Sequence, residues 1–249
     1  MKTINKEDFY NKKTCTDWQE KIGVEEYEKN RLKNWANIDG KFYYIKEVVN
    51  YNEIIGELIA KSLKLDTAHY EIGKYKRRNK YMTENFKEEG KEYLKIYQTE
   101  LNNRKDILDI VNNDLRNDLL KMYALDIFMM QTDRCNVNLM FVKENDKLRL
   151  APLYDYSNAY FNLSTGYLGY RNCIRNVYMT KESIDKFMNE YPHIEDYMNV
   201  ILNTDYLKLL KEELLKYELE LSKKQESYTE CKFEEGSMLL KRMIKRWLQ

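Results

Sequence analysis

Residues 124–160 read ALDIFMMQTDRCNVNLMFVKENDKLRLAPLYDYSNAY, and this stretch decides how the rest of the chain is arranged. An apolar segment (Leu125, Ile127, Phe128, Met129, Met130) ends in a polar loop, TDRCNVN, which leads into a short apolar run, LMFV. The turn-like END at 144–146 then reverses the chain into KLRLAPLYD. A hairpin pivoting between Asn145 and Asp146 places Asn138 opposite Leu153 and diagonal to Asp155. Side chains two residues apart share a strand face, so Asn138 and Asp155 point the same way, about 7 Å apart at the backbone. Two oxygen ligands on one spot suit a hard cation such as Mg²⁺, which takes few protein oxygens, keeps its waters and accepts phosphates for the rest. An Asp and an Asn in a loop are ordinary on their own. Their setting is not: a polar loop carried on a strongly apolar segment and followed by two apolar strands is costly to organise, because buried polar groups need partners.

The chain has 249 residues, enough for one large domain or two lobes around a cleft. Hydrophobic residues make up 43% and aromatics 13%, with 22 Tyr, which supplies a sizeable core and excludes wholesale disorder. Lys+Arg number 42 and Asp+Glu 41, a net charge of +1, so no general electrostatic case for nucleic-acid binding exists. The basic run KYKRRNK at 74–80 reads as a solvated turn. Four Cys (15, 135, 173 and 231) lack CxxC or zinc-like spacing and are too sparse for a disulfide scaffold. They read as reduced thiols of a cytoplasmic protein. The N-terminus MKTINKEDFYNKK has no apolar signal core, and no apolar run reaches the ~18 residues a membrane span needs. His69 and His193 are the two histidines, which leaves a histidine-based triad almost nothing to build on.

Taken in order, residues 1–35 are polar and Lys-rich, with Thr16 and Gln19 spaced as a capping box for a helix ended near Gly23. NIDG is a turn, and KFYYIKEVV is a strand of aromatic and β-branched residues that contains Lys46. NYNEIIGELIAKSLKL carries Ile54, Ile55, Leu58, Ile59 and Leu63 at helical spacing, with Glu53 and Glu57 on its other side. AHYEIGKYKRRNKYMTENF predicts strands joined by a basic turn, and EYLKIYQTEL a further strand or a connection between lobes. Beyond Asn102 the pattern becomes helical, with helices expected at 106–113, 114–130, 181–190, 193–202, 205–224 and 237–248, the last capped by Ser237. The fold class expected is α+β: a small β-rich N-lobe with one helix over 1–101, and a larger, mainly helical C-lobe over 102–249.

Asp133, then Asn138 five residues on, a hairpin and a further Asp follow the catalytic-loop logic of protein kinases, and Lys46 on a strand with Glu53 on the next helix supplies the pair that would hold nucleotide phosphates. Periodicity alone leaves Glu53 and Glu57 both open as that partner, although Glu57 has Lys61 at i,i+4 and Glu53 has no such neighbour. YYIK at 43–46, NE at 52–53 followed by IAKSLKL, YMTENF at 81–86, TDRCNVN at 132–138 and LAPLYD at 150–155 resemble the HipA-like serine/threonine kinase family, in size its compact CtkA-type members. The resemblance covers positions 43–160 and implies that Lys46 contacts ATP phosphates, that Glu53 pairs with it, that Asp133 is the catalytic Asp, and that Asn138 and Asp155 hold Mg²⁺. It implies a protein substrate phosphorylated on Ser or Thr.

Two departures stand out. Cys135 occupies a position where the family often has His. No glycine-rich phosphate loop precedes Lys46: Gly23 and Gly40 are the only candidates, so either RLKNWANIDG covers the phosphates through Arg31, Lys33 and backbone, or nucleotide binding is weak. That second branch keeps alive a pseudokinase or nucleotide-binding interaction module, and a small-molecule phosphotransferase uses the same residues. Ser157, Ser164 and Thr165, with Arg171 and Arg175 nearby, stand where an activation segment would accept phosphate.

Overall fold

The computed structural model describes residues 1–24, 26–102, 107–131, 134, 138–157, 159, 169–171, 176–178 and 181–246, with backbone alone at 26–28, 169–171, 176–178 and 181. The chain opens with β1 (Lys2–Thr3), α1 (Trp18–Ile22) and a 3-10 segment (Glu26–Asn34), then enters β2 (Trp35–Ile38) and β3 (Lys41–Glu47). Asp39 and Gly40 turn this hairpin with φ of 53° and 83°, which the right-handed strand twist favours. After α2 (Asn52–Ser62) come β4 (Tyr70–Tyr75) and β5 (Arg78–Glu84), turned by Lys76 and Arg77. The five strands form one sheet in the order β1-β4-β5-β3-β2, parallel between β1 and β4 and antiparallel elsewhere.

Strand alternation places Lys46. Tyr43 and Ile45 of β3 point into a small cluster with Ile4, Ala36, Ile38 and Met82, so Tyr44 and Lys46 face the other way. That opposite face belongs to the main core, in which Ile54 and Ile59 of α2, and Tyr70, Ile72 and Tyr81 of the sheet, are continuous with the helices that follow. Burial of each large aliphatic side chain there contributes roughly 1.5–3 kcal/mol.

A second sheet links the halves of the sequence: β6 (Glu92–Lys95) pairs with β7 (Met140–Glu144), which pairs with β8 (Lys147–Leu150). Between them lie α3 (Ile107–Ile110) and α4 (Asn113–Phe128), the latter capped by Asn112, whose side chain accepts the Leu115 N–H at 3.0 Å. Residues 169–171 and 176–178 pair as β9 (Gly169–Arg171) and β10 (Asn176–Tyr178). The chain continues with α5 (Lys181–Glu190), α6 (Ile194–Leu202), α7 (Tyr206–Leu215) and α8 (Lys223–Ile244). No helix among the described residues is long and apolar enough to cross a membrane.

Three local expectations need correction. The N-cap of α1 is Asp17, without a side-chain cap bond, so Thr16 and Gln19 form no capping box. The expected helix over 205–224 stops at Leu215, and α8 starts at 223 from a capping box of Ser222 and Gln225, so Ser237 lies mid-helix rather than at its cap. Gly236, next to Ser237, is a packing residue: a Cβ there would stand 2.2 Å from the Phe128 carbonyl oxygen, so α8 meets the end of α4 only because that position has no side chain. Trp247 lies outside the described residues.

Candidate active site

The hairpin of β7 and β8 has the register that an Asn145–Asp146 pivot requires, Phe141 opposite Leu150 and Glu144 opposite Lys147. It does not continue to Asn138. After Ala151, whose N–H donates to the Met140 carbonyl, the chain turns to α2's C-terminal connection: Leu153 bridges Thr67 and its N–H donates to the Asp66 carbonyl at 2.9 Å. Asn138 therefore does not face Leu153, and Asp155, with φ of 61°, is not in a strand at all. The two residues nevertheless line one cleft of about 590 Å³ with Lys46, Tyr44, Tyr70 and Ser157.

At the centre of that cleft Lys46 Nζ lies 2.7 Å from Glu53 Oε1 and 2.7 Å from Asp155 Oδ1. Sequence periodicity left Glu53 and Glu57 open, and the geometry separates them. Glu53 is 1% exposed and gives its second oxygen to the Tyr156 N–H at 2.9 Å. Glu57 turns away: its Oε1 meets Lys61 and His69 Nδ1, and its Oε2 accepts the Tyr70 N–H at 2.9 Å. Gly56 between them matters, because a Cβ there would stand 2.2 Å from the Tyr156 ring; its absence lets residues 155–156 press against α2.

The electrostatics follow from this geometry. Burial opposes charge on Lys46, but the Glu53 and Asp155 carboxylates outweigh it and raise the ammonium above its ordinary pKa. Burial likewise opposes ionisation of Asp155, yet Lys46, the Ser157 hydroxyl and Arg134 hold its carboxyl below the usual range. Glu57 is held low against burial by His69, Lys61 and the Tyr70 N–H, and its hydrogen bond in turn raises His69.

Several supporting contacts have no counterpart in the sequence reading, which takes Ser157 only as a candidate phosphate acceptor. Ser157 Oγ donates to Asp155 Oδ1 at 2.8 Å, so Lys46 and Ser157 share one carboxylate oxygen. Oδ2 has no partner among the described residues. Tyr70, 1% exposed, accepts the Asp155 N–H through its hydroxyl at 3.0 Å, and Gln131 Nε2 donates to the Asp155 carbonyl at 3.0 Å. Arg134 is the hub of the loop: with no exposed side-chain surface it donates to Asp126 Oδ1 and Oδ2 at 3.0 and 3.2 Å, to the Asn138 carbonyl at 3.2 Å and to the Tyr154 carbonyl at 2.9 Å. A buried ion pair with its remaining N–H groups on carbonyls meets the condition under which such a pair is tolerated. Asp126, an acid inside the apolar run LDIFMM, was the readable signal for it.

Asp133, Cys135, Ser164, Thr165 and Arg175 lie outside the described residues, as does the side chain of Arg171. Among the described residues Cys15 and Cys231 are free thiols. No cluster of three or more His, Cys, Asp or Glu side chains forms a metal site among the described residues. Asn138 and Asp155 both line the cleft, and a cation such as Mg²⁺ would take from them only part of its oxygen shell, leaving the rest to water and phosphates.

No family model matches the chain, and no curated protein matches it in sequence. Solved structures do. The proinflammatory kinase CtkA of Helicobacter pylori superposes with a TM-score of 0.53 at 16% identity, over 85% of this chain and 94% of that one. A chain from the toxin–antitoxin complex of HipA, HipB and operator DNA of Shewanella oneidensis MR-1 superposes with a TM-score of 0.55 at 12% identity, over 83% of this chain and 60% of that one. The likeness is one of fold: a mixed α+β arrangement like that of these two kinase-like structures.

Proposed function

We propose that the chain is an ATP- and Mg²⁺-dependent serine/threonine protein kinase of the HipA-like type. The observation that carries this reading is Lys46 Nζ held 2.7 Å from both Glu53 and Asp155 inside the cleft, with the second oxygen of Asp155 unpartnered among the described residues. A strand lysine oriented by a helix glutamate, next to a metal-binding aspartate, is the arrangement phosphoryl transfer from a nucleotide uses. The kinase-like fold supports it, and the match spans 94% of the cited kinase neighbour's chain.

In this reading Lys46, kept protonated by its two carboxylates, neutralises charge across the α- and β-phosphates. Asn138 and Asp155 would hold Mg²⁺, which when bound would supply positive charge against the β- and γ-phosphates. Asp133 orients the acceptor hydroxyl; as oxygen bonds to the γ-phosphorus and the bond to ADP breaks, Asp133 takes the hydroxyl proton. Arg134 donates to the Asn138 and Tyr154 carbonyls, so one guanidinium ties together the backbone that carries Asn138 and the residue before Asp155. Positioning and charge stabilisation carry the step, and no covalent enzyme intermediate is needed.

The test is transfer from γ-labelled ATP to a peptide library bearing Ser, Thr or Tyr acceptors. Label on Ser and Thr peptides, lost in Asp133→Ala, is the expected result; full activity in that variant contradicts the assignment. The missing glycine loop favours a second reading, a nucleotide-binding module acting through a partner, which a thermal-shift titration with MgATP beside this assay recognises as binding without transfer.

A further inference from the structure

The two glycines ahead of Lys46 cannot supply a backbone cradle for phosphate. Gly23 ends α1, where its N–H donates to the Glu20 carbonyl at 3.0 Å and its own carbonyl accepts Lys87 Nζ at 2.5 Å. Gly40 sits at the hairpin tip with its N–H on Asn37 Oδ1 at 3.1 Å. Both donors are spent. In their place the 3-10 segment Glu26–Asn34 runs along the cleft and contributes Arg31, Lys33 and Asn34 to its lining. Leu32, 2% exposed, anchors the segment, and Asn34 Nδ2 ties it to the Tyr44 hydroxyl at 3.1 Å. Tyr44 is two residues from Lys46 on the same strand face.

Most charges around the cleft are already engaged. Lys46 is bound by two carboxylates, Lys87 by the Gly23 carbonyl, and Glu84 by Lys41 at 2.8 Å. Lys33 stands on the cleft wall with no ion pair or hydrogen bond among the described residues. An ammonium on a flexible stem is a strong point-charge partner for phosphate oxygens and needs no close backbone approach. We infer that Lys33, on a 3-10 segment rather than a glycine-rich loop, is the residue that closes over the nucleotide's phosphates. This rests on the kinase reading and adds its mode of substrate grip: side-chain charge in place of backbone N–H groups.

Such a grip has its own signature, because a charge near solvent is screened by salt whereas a backbone cradle is much less so. The experiment titrates MgATP and adenosine into the full chain and its Lys33→Gln and Lys33→Arg variants by calorimetry. The glutamine variant is expected to bind MgATP about 10-fold or more weakly, as befits losing a charged hydrogen bond. It should bind adenosine unchanged. The arginine variant should stay close to wild type, and raising salt from about 0.05 M to about 0.5 M should weaken wild type more than Lys33→Gln. Unchanged MgATP affinity in Lys33→Gln overturns the inference while leaving the kinase reading standing. An equal loss for adenosine overturns it too, since the effect then lies in pocket shape. If the wild type binds no MgATP at all, the kinase reading fails first and the inference falls with it.

Discussion

Replacing Asp126 by Asn tests the physical frame of the candidate site independently of any ligand. Asp126 and Arg134 have no exposed side-chain surface, so solvent does not screen the loss of one charge. Taking one partner from a buried pair costs about 3–5 kcal/mol, because the other charge stays buried without compensation. Arg134 keeps two carbonyl acceptors, those of Asn138 and Tyr154, which places the expected loss near the lower end, about 3 kcal/mol. For a chain of this size that corresponds to a fall in Tm of roughly 6–12 °C. Urea denaturation followed by circular dichroism measures it, with the m-value compared to confirm that the unfolding reaction is the same. The double variant Asp126→Leu/Arg134→Met removes both charges and should recover part of the loss, though not all, since two carbonyls then lack a donor. A loss below about 1 kcal/mol in Asp126→Asn would refute the argument that this ion pair is the buried brace of the loop.

Gly56→Ala should destabilise by about 1–3 kcal/mol and weaken nucleotide binding as well, because its Cβ would stand 2.2 Å from the Tyr156 ring and push residues 155–156 off α2; thermal denaturation and an ATP titration check both effects. Tyr70→Phe removes the acceptor of the Asp155 N–H, and under the kinase reading kcat should fall several-fold with little change in nucleotide affinity, read from steady-state kinetics. The raised pKa of His69 means that its bond to Glu57 stabilises the fold fully below the unfolded-state value near 6.5 and loses that contribution as pH rises through the folded-state value. Urea titrations across this range should therefore show wild type losing its advantage over His69→Gln as pH rises. For Asp155 the sign is opposite: its lowered pKa gives stability that is present above the unfolded-state value and lost as pH falls through the folded-state one, so Asp155→Asn should narrow its deficit toward acid pH.

Much of this architecture was legible in the residues. The END turn set the β7–β8 register, Asp39–Gly40 set the first hairpin, and the helical spacing of Ile54, Ile55, Ile59 and Leu63 marked α2. Lys46, Glu53, Asn138 and Asp155 were each singled out, and the structure gathers them on one cleft or onto one another. What failed did so for identifiable reasons. The argument that Asn138 and Asp155 share a strand face assumed that the hairpin runs on. Long-range pairing of Leu153 with Thr67 ends it instead, and no local pattern announces a bridge to a residue 86 positions away. Ser237 resembles an N-cap in sequence because nothing local shows that the glycine before it is needed mid-helix, where a side chain would meet the Phe128 carbonyl. Tyr70 and Ser157 bear on Asp155 through a hydroxyl acceptor and a hydroxyl donor, and a tyrosine among 22 or a serine in a loop carries no mark of that duty.

In a kinase built this way the carboxylate of Asp155 brings a cation to the phosphates of a nucleotide held at Lys46. Calorimetric titration of ATP with and without Mg²⁺, into wild type and Asp155→Ala, measures this directly. Mg²⁺ is expected to strengthen ATP binding to wild type and to have no such effect on Asp155→Ala. The same strengthening in both proteins, or no ATP binding to wild type in either condition, would contradict this role of Asp155.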